Sequence, residues 1–297
     1  MPLKLCLNGV RGSRPTDRPD QMTFGCNSTN IEFKTDEDFY LILDGGTGLI
    51  PRGKSISENQ KHSNFNFIIT HTHWDHILAL PYFKPLQDPN NTVTFYSSKP
   101  TKAKFEELFH RLLKEKNLPI PASVIKANIN FKTVEPGSSF NIGNSVSVDT
   151  YQLNHQDITL GYRVNHNNHS ACVITDNAPI DNGNYMGEGM KTAAKNNPSF
   201  EKDFTQGLIN FLSKADTVVY DTHFTNDTLK ADWGHSTPEI ALDICHKAGV
   251  KRLLLFHHAP EDDDNDVQAK VDSIKDRAQK LGVEVEAATE GKEWVHG

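Results

Sequence analysis

Cysteine is scarce in this chain: 297 residues contain four, Cys6, Cys26, Cys172 and Cys245, with no CxxC spacing. That pattern argues against thiolate zinc sites and redox dithiols, and the thiols read as reduced and buried. Long apolar runs are also missing, none approaching the roughly 20 residues that a membrane span needs. The opening MPLKLCLNGVRGS lacks an apolar core followed by a small-residue cleavage site, so the expectation is a cytoplasmic protein with no membrane partner. Positive charge is not in excess. The net charge is −7 and an acidic run, EDDDND, occupies 261–266, which argues against a broad surface for long nucleic acids but leaves room for a local cationic patch. No internal repeat is visible.

What is present fits a soluble globular chain: 36% hydrophobic residues and 16 phenylalanines, enough to bury a sizeable core. The expectation is a single domain over residues 1–297. Short β-branched and aromatic runs at 3–8, 29–34, 39–44, 65–70 and 92–97, separated by Gly, Pro and Asn, predict strands. Further strands are predicted at 145–153, 159–164, 171–175, 216–221, 252–257 and 283–287. Apolar residues at helical spacing predict a helix over 101–116, with Phe105, Leu108, Phe109, Leu112 and Leu113 on one face. A second helix is predicted over 237–248, opened by Thr237 and Pro238 and stopped by Gly249, and a third over 265–281. The polar stretch 177–204 reads as a surface excursion. Both halves carry strands and helices, so the fold class is α+β, with an αββα sandwich satisfying the order.

Functional residues collect where strands end. In FNFIITHTHWDH the apolar run stops as ligand-type residues begin, and alternation along an extended chain sends His71 and His73 to the same side. Asp75 and His76 follow at a turn. His155 comes after the strand ending at Leu153, Asp176 after ACVIT and His257 after RLLLF. Seven such residues at four strand ends point to one rim of a sandwich. Imidazole and carboxylate without thiolate suit two divalent ions, Zn²⁺ first, with Mn²⁺ or Fe²⁺ as alternatives. His62, His110, His166, His169, His246 and His296 read as surface or hydrogen-bonded side chains, and His258 alternates away from the site. The DGGTG stretch at 44–48 lacks the phosphate-loop spacing and reads as a tight turn, with Asp44 a candidate to support a metal ligand. GCNST at 25–29 reads as turn chemistry, with substrate contact by Asn27, Ser28 or Thr29 as the alternative.

HTHWDH resembles the HxHxDH motif of the metallo-β-lactamase superfamily, and LNH at 153–155, ITD at 174–176 and LFHH at 255–258 resemble its later metal motifs. YDTHF at 220–224 and GHST at 234–237 resemble the phosphodiesterase branch that includes ribonuclease Z, and the likeness runs from about residue 3 to residue 295. The resemblance implies His71, His73 and His155 on one metal, Asp75, His76 and His257 on the second, and Asp176 between them. It further implies attack by a metal-bridging hydroxide and protonation of the leaving oxygen by His235, with Asp75 beside it among the catalytic groups. Asp221 and His223 are the candidates to orient His235, with no clear motif match to decide between them. A homodimer through the 101–116 helix is also consistent with the resemblance.

These expectations amount to a dinuclear phosphodiesterase acting on small or cyclic nucleotide phosphodiesters. The alternatives are a ribonuclease Z-like tRNA 3′ endonuclease, disfavoured by the negative charge and the lack of a Lys/Arg-rich arm, and a lactone, thioester or lactam hydrolase, disfavoured by GHST. A metal-stabilised binding scaffold without catalysis is the reading from a different class.

Overall fold

A computed structural model describes residues 2–59, 63–99, 105–114, 118–155, 158–180, 186–195, 197 and 199–296. The first sheet contains β1 (Leu3–Gly9), β2 (Asn30–Lys34), β3 (Tyr40–Leu43), β4 (Asn64–Ile69), β5 (Thr92–Ser97) and β6 (Asn128–Thr133). The second contains β7 (Ser139–Ile142), β8 (Val146–Leu153), β9 (Thr159–His166), β10 (His169–Ile174), β11 (Thr217–Asp221), β12 (Arg252–Phe256) and β13 (Glu284–Ala287), while β14 (Glu293–His296) returns to the first. The orders are β14-β1-β2-β3-β4-β5-β6 and β13-β12-β11-β10-β9-β8-β7. Each sheet is antiparallel in one part and parallel in the other, with β3 to β6 parallel in the first and β10 to β13 parallel in the second.

Alternation along the strands explains the layering. In β4, Phe65, Phe67 and Ile69 pack outward under helices, while Ile68 enters the core between the sheets. In β12, Leu253 and Leu255 face outward and Leu254 and Phe256 inward. Strands buried on both faces need near-continuous apolar sequence, as FNFII and RLLLF show. Helices α1 (Leu49–Asn59), α2 (Trp74–Ile77) and α3 (Phe105–Lys114) lie on the first sheet's side. Helices α4 (Glu188–Lys195), α5 (Phe200–Phe211), α6 (Pro238–Ala248) and α7 (Asp264–Leu281) lie on the second sheet's side, α4 resting on α5. The result is the expected αββα sandwich. No helix among the described residues is long and apolar enough to cross a membrane.

The capping signals act as read. Thr237 accepts from the Ile240 N–H with Pro238 in the first turn, and Gly249 closes α6 at φ 69°. The acidic run forms the start of α7, where Asp263 and Asp266 make a reciprocal capping box. One expectation needs correction: 177–204 is more than a surface excursion, since it contains α4 and the start of α5, and Ala178, Ile180, Met190 and Phe204 are buried. The predicted 101–116 helix is described over Phe105–Lys114; its flanks 101–104 and 115–116, and His62, lie outside the described residues.

Candidate metal centre

The seven proposed ligands meet at the carboxyl ends of strands in both sheets. After β4, Thr70 and His71 leave the sheet and the chain enters α2 with Asp75 and His76. Asp44 follows β3, His155 follows β8, Asp176 follows β10 and His257 follows β12. Asp44, Asp176 and His257 adopt φ of 57°, 52° and 61°. This left-handed conformation is uncommon for residues with a Cβ, and it turns each side chain back across the strand ends.

Two donor groups result, sharing one carboxylate. Asp176 Oδ2 faces His71 Nε2 at 3.6 Å and His155 Nε2 at 3.5 Å, with His73 Nδ1 3.1 Å from His155 Nε2. Asp176 Oδ1 faces His76 Nε2 and His257 Nε2, both at 3.2 Å, and Asp75 Oδ2 lies 3.2 Å from His76 and 3.3 Å from His257. Donors each about 2.1 Å from one tetrahedral ion stand about 3.4 Å apart, so the spacing fits a metal in each group. An imidazole nitrogen makes the same point: His71 Nε2 is buried with no hydrogen-bond partner. An orphaned buried nitrogen is costly unless an ion satisfies it.

The electrostatics are those of a cation site. Burial pushes the His71 and His155 imidazoles down, His155 to about 4, so both are neutral electron-pair donors. Burial would raise Asp176 and Asp75, but the surrounding imidazoles hold both well below the usual carboxylate range. Burial would likewise lower His76, yet Asp75, Asp176 and Asp44 hold it well above the usual imidazole range. It keeps a proton where a cation would otherwise balance the carboxylates.

Outer contacts fix the ligands. Asp44 Oδ2 accepts from His76 Nδ1 at 2.7 Å and from the Thr70 hydroxyl at 2.7 Å, aiming His76 Nε2 at the cluster. Gly234 O accepts from His155 Nδ1 at 3.0 Å, an approach that requires glycine: φ is 82°, and a Cβ would stand 2.2 Å from that nitrogen. The Ser13 N–H donates to Asp75 Oδ2 at 2.8 Å.

His235 lies beside the second group, its ring 5.0 Å from that of His257 and 5.4 Å from that of His155. Asp221, at the end of β11, accepts from His235 Nδ1 at 2.9 Å, so the carboxylate is the orienting partner that the motifs left undecided. His223 stacks on His235 at 4.6 Å and 20°, and donates through Nδ1 to His257 O. Buried Lys270 of α7 holds this loop through Thr222 O and His223 O. His258 points elsewhere, donating to Ala288 O. The GCNST residues serve structure: Asn27 meets Glu290, and Ser28 exchanges bonds with Thr47.

Sequence reasoning missed the frame at residues 11–13. Arg11 is fully buried, and its guanidinium donates to the carbonyls of Gln21, Gly25, Ala259 and Asp262. Its pull toward both chain halves sets Gly12 against His257 and Ser13 against Asp75; the RGSRP stretch was a visible signal. Also missed were Trp74 and Trp233, 62% and 47% exposed, which with Ser13, Asp232 and His235 line a cleft of about 410 Å³ over the cluster.

The model of the Beta-lactamase superfamily domain matches residues 65–194. Ribonuclease Z of Sulfolobus acidocaldarius is 26% identical over 244 residues, covering 74% of this chain and 79% of that protein. The solved structure of the metallo-beta-lactamase fold protein YhfI from Bacillus subtilis aligns with a TM-score of 0.69 at 18% identity, over 99% of both chains. Human tRNase Z, short form, aligns with a TM-score of 0.64 at 14% identity, also over 99% of both. The fold is therefore that of the metallo-β-lactamase superfamily. The chain's sequence likeness is to Ribonuclease Z.

Proposed function

We propose that the chain is a metal-dependent hydrolase that cleaves small or cyclic nucleotide phosphodiesters. The observation that carries the reaction type is the Asp221–His235 pair beside the shared carboxylate Asp176: an imidazole held ready to give a proton next to two adjoining metal-type donor groups. His71, His73, His155 and Asp176 Oδ2 would hold one ion, and Asp75, His76, His257 and Asp176 Oδ1 the other. Two bound divalent ions supply a lowered water pKa and charge stabilisation on the phosphoryl oxygens. The protein's own groups do the rest. Asp44 and Gly234 O fix the imidazoles, while His235 presents Nε2 to the leaving oxygen because Nδ1 is committed to Asp221. The exposed rings of Trp74 and Trp233 at the cleft mouth favour a substrate with a planar base.

A ribonuclease Z-like activity on tRNA is the second reading, favoured by the sequence likeness to Ribonuclease Z. Turnover of the zinc- or manganese-loaded chain on cyclic mononucleotides, a dinucleotide, precursor tRNA, a thioester and a lactam separates the readings. Cleavage of the nucleotide esters, weakened in Trp74→Ala and abolished in Asp176→Ala, is the expected result. Activity confined to precursor tRNA would support the second reading, and activity confined to the acyl substrates would overturn both. His235→Ala should keep both metals and lose most turnover on poor leaving groups.

A further inference from the structure

His235 lines a second cavity, a chamber of about 300 Å³ that shares no other lining residue with the metal-side cleft. Its walls include Ile180, Phe204, Leu208 and Ile244, all buried, while Thr205, Asp243 and Lys247 give it polar edges. Lys247 is exposed and Thr205 and Asp243 are half-buried, so the chamber opens to solvent at that edge above an apolar floor. Its volume lies at the lower end of about 300–1,000 Å³, the usual range of small-ligand sites.

The chemistry at His235 says what belongs there. A general acid must stand within hydrogen-bond reach of the oxygen it protonates, so whatever is attached to the leaving oxygen starts at His235. We infer that the chamber receives the leaving alcohol of the phosphodiester and that this alcohol is a nucleoside. The inference rests on the reading of His235 as proton donor given above. A nucleoside base has apolar faces and hydrogen-bonding edges, which match apolar walls bordered by the Thr205 hydroxyl and the Lys247 ammonium, with the Asp243 carboxylate already paired to Arg277. In the reaction, water oxygen forms the new P–O bond and the P–O bond to the nucleoside breaks, its electron pair staying on the nucleoside oxygen. The His235 proton ends on that oxygen. One water proton remains on the phosphate product and the other restores His235.

The test is equilibrium dialysis of labelled adenosine and cytidine against the full chain, together with steady-state kinetics on a dinucleotide. Thr205→Trp on α5 and Ile240→Trp on α6 fill the chamber from different helices without touching the metal cluster, so misfolding of one leaves the other. The expected result is nucleoside binding by the native chain, weakened at least about tenfold in both variants, with KM for the dinucleotide raised about as much and kcat nearly unchanged. Dinucleotide cleavage with no nucleoside binding, or with variants that bind like the native chain, overturns the inference and leaves the phosphodiesterase reading standing. Nucleoside binding lost in the variants, without cleavage of any phosphodiester, overturns the leaving-group assignment together with that reading.

Discussion

Asp221 Oδ2 stands 2.9 Å from His235 Nδ1, and its Oδ1 accepts the His223 N–H at 3.0 Å, with the carboxylate fully buried at the end of β11. Both oxygens are thus committed, and the imidazole can turn only Nε2 to the cleft. Burial alone would lower the His235 pKa; Asp221 outweighs it and raises the imidazole to about 9. The general acid of the proposed reaction works in its protonated form, so activity should be present below that value and be lost as pH rises through it. Cations at the cluster act in the opposite direction on the absolute position. Asp221→Asn keeps the shape and removes the charge. The basic limb of the kcat profile should move to lower pH, and kcat with a poor leaving group should fall by about 10². An unmoved limb in the variant would show that Asp221 does not govern the proton.

Metal uptake should release few protons. At pH 7 His71 and His155 are already neutral, and Asp75 and Asp176 are already ionised. His76, raised well above its ordinary range, is the ligand that must give up its proton to bind through Nε2. Calorimetric zinc titrations in buffers of different ionisation enthalpy should report about one proton released per chain from the ligands. The release should shrink as pH rises through the His76 pKa. Release of three or four protons at neutral pH would mean that the carboxylates and the other imidazoles are not charged as described.

Asp44 touches no metal position, yet it sets one ligand. Its Oδ2 receives both His76 Nδ1 and Thr70 Oγ1, and Thr70 N donates to Oδ1 at 2.8 Å. Asp44→Asn replaces an acceptor by an amide that can oppose the imidazole N–H. Metal affinity at the Asp75, His76 and His257 group should drop about 10- to 100-fold, with the other group much less affected. Competition titrations with a chromophoric chelator read the two sites separately; equal weakening of both would contradict this division.

The parts of the fold legible in the sequence are those where one pattern acts alone. The apolar runs FNFII and RLLLF, and the helix signals Thr237 and Gly249, are local, and they mark β4, β12 and α6 to within a residue or two. Helix α1 escaped notice because Pro51 and Gly53 interrupt its pattern; Gly53 packs against Phe83, a contact no local signal contains. Strands β6 and β14 are edge strands, short or polar on alternate positions, and depend on their neighbours. The site divides in the same way. Ligands announce themselves as histidines and aspartates at strand ends, whereas the choice of Asp221 over His223 as the partner of His235, and the bonds of Arg11 across as many as 248 residues, are decided only when the chain has closed.

Gly12 is the clearest consequence of that closure. Its N–H donates to His258 O at 2.9 Å, which draws the segment against the end of β12. A Cβ at this position would stand 2.4 Å from His257 Nδ1 and 2.5 Å from its Cε1. His257 is fully buried and held by the cluster on its other edge, so the ring has little room to yield. Gly12→Ala should therefore displace the ring from the Asp75 side. Overpacking of this kind costs about 1–3 kcal/mol, so the melting temperature should fall. Metal binding by the Asp75, His76 and His257 group should weaken, while the His71, His73 and His155 group keeps its affinity. A variant with native affinity at both sites would show that the 11–13 segment, not His257, gives way, and that this frame is softer than the bonds from Arg11 imply.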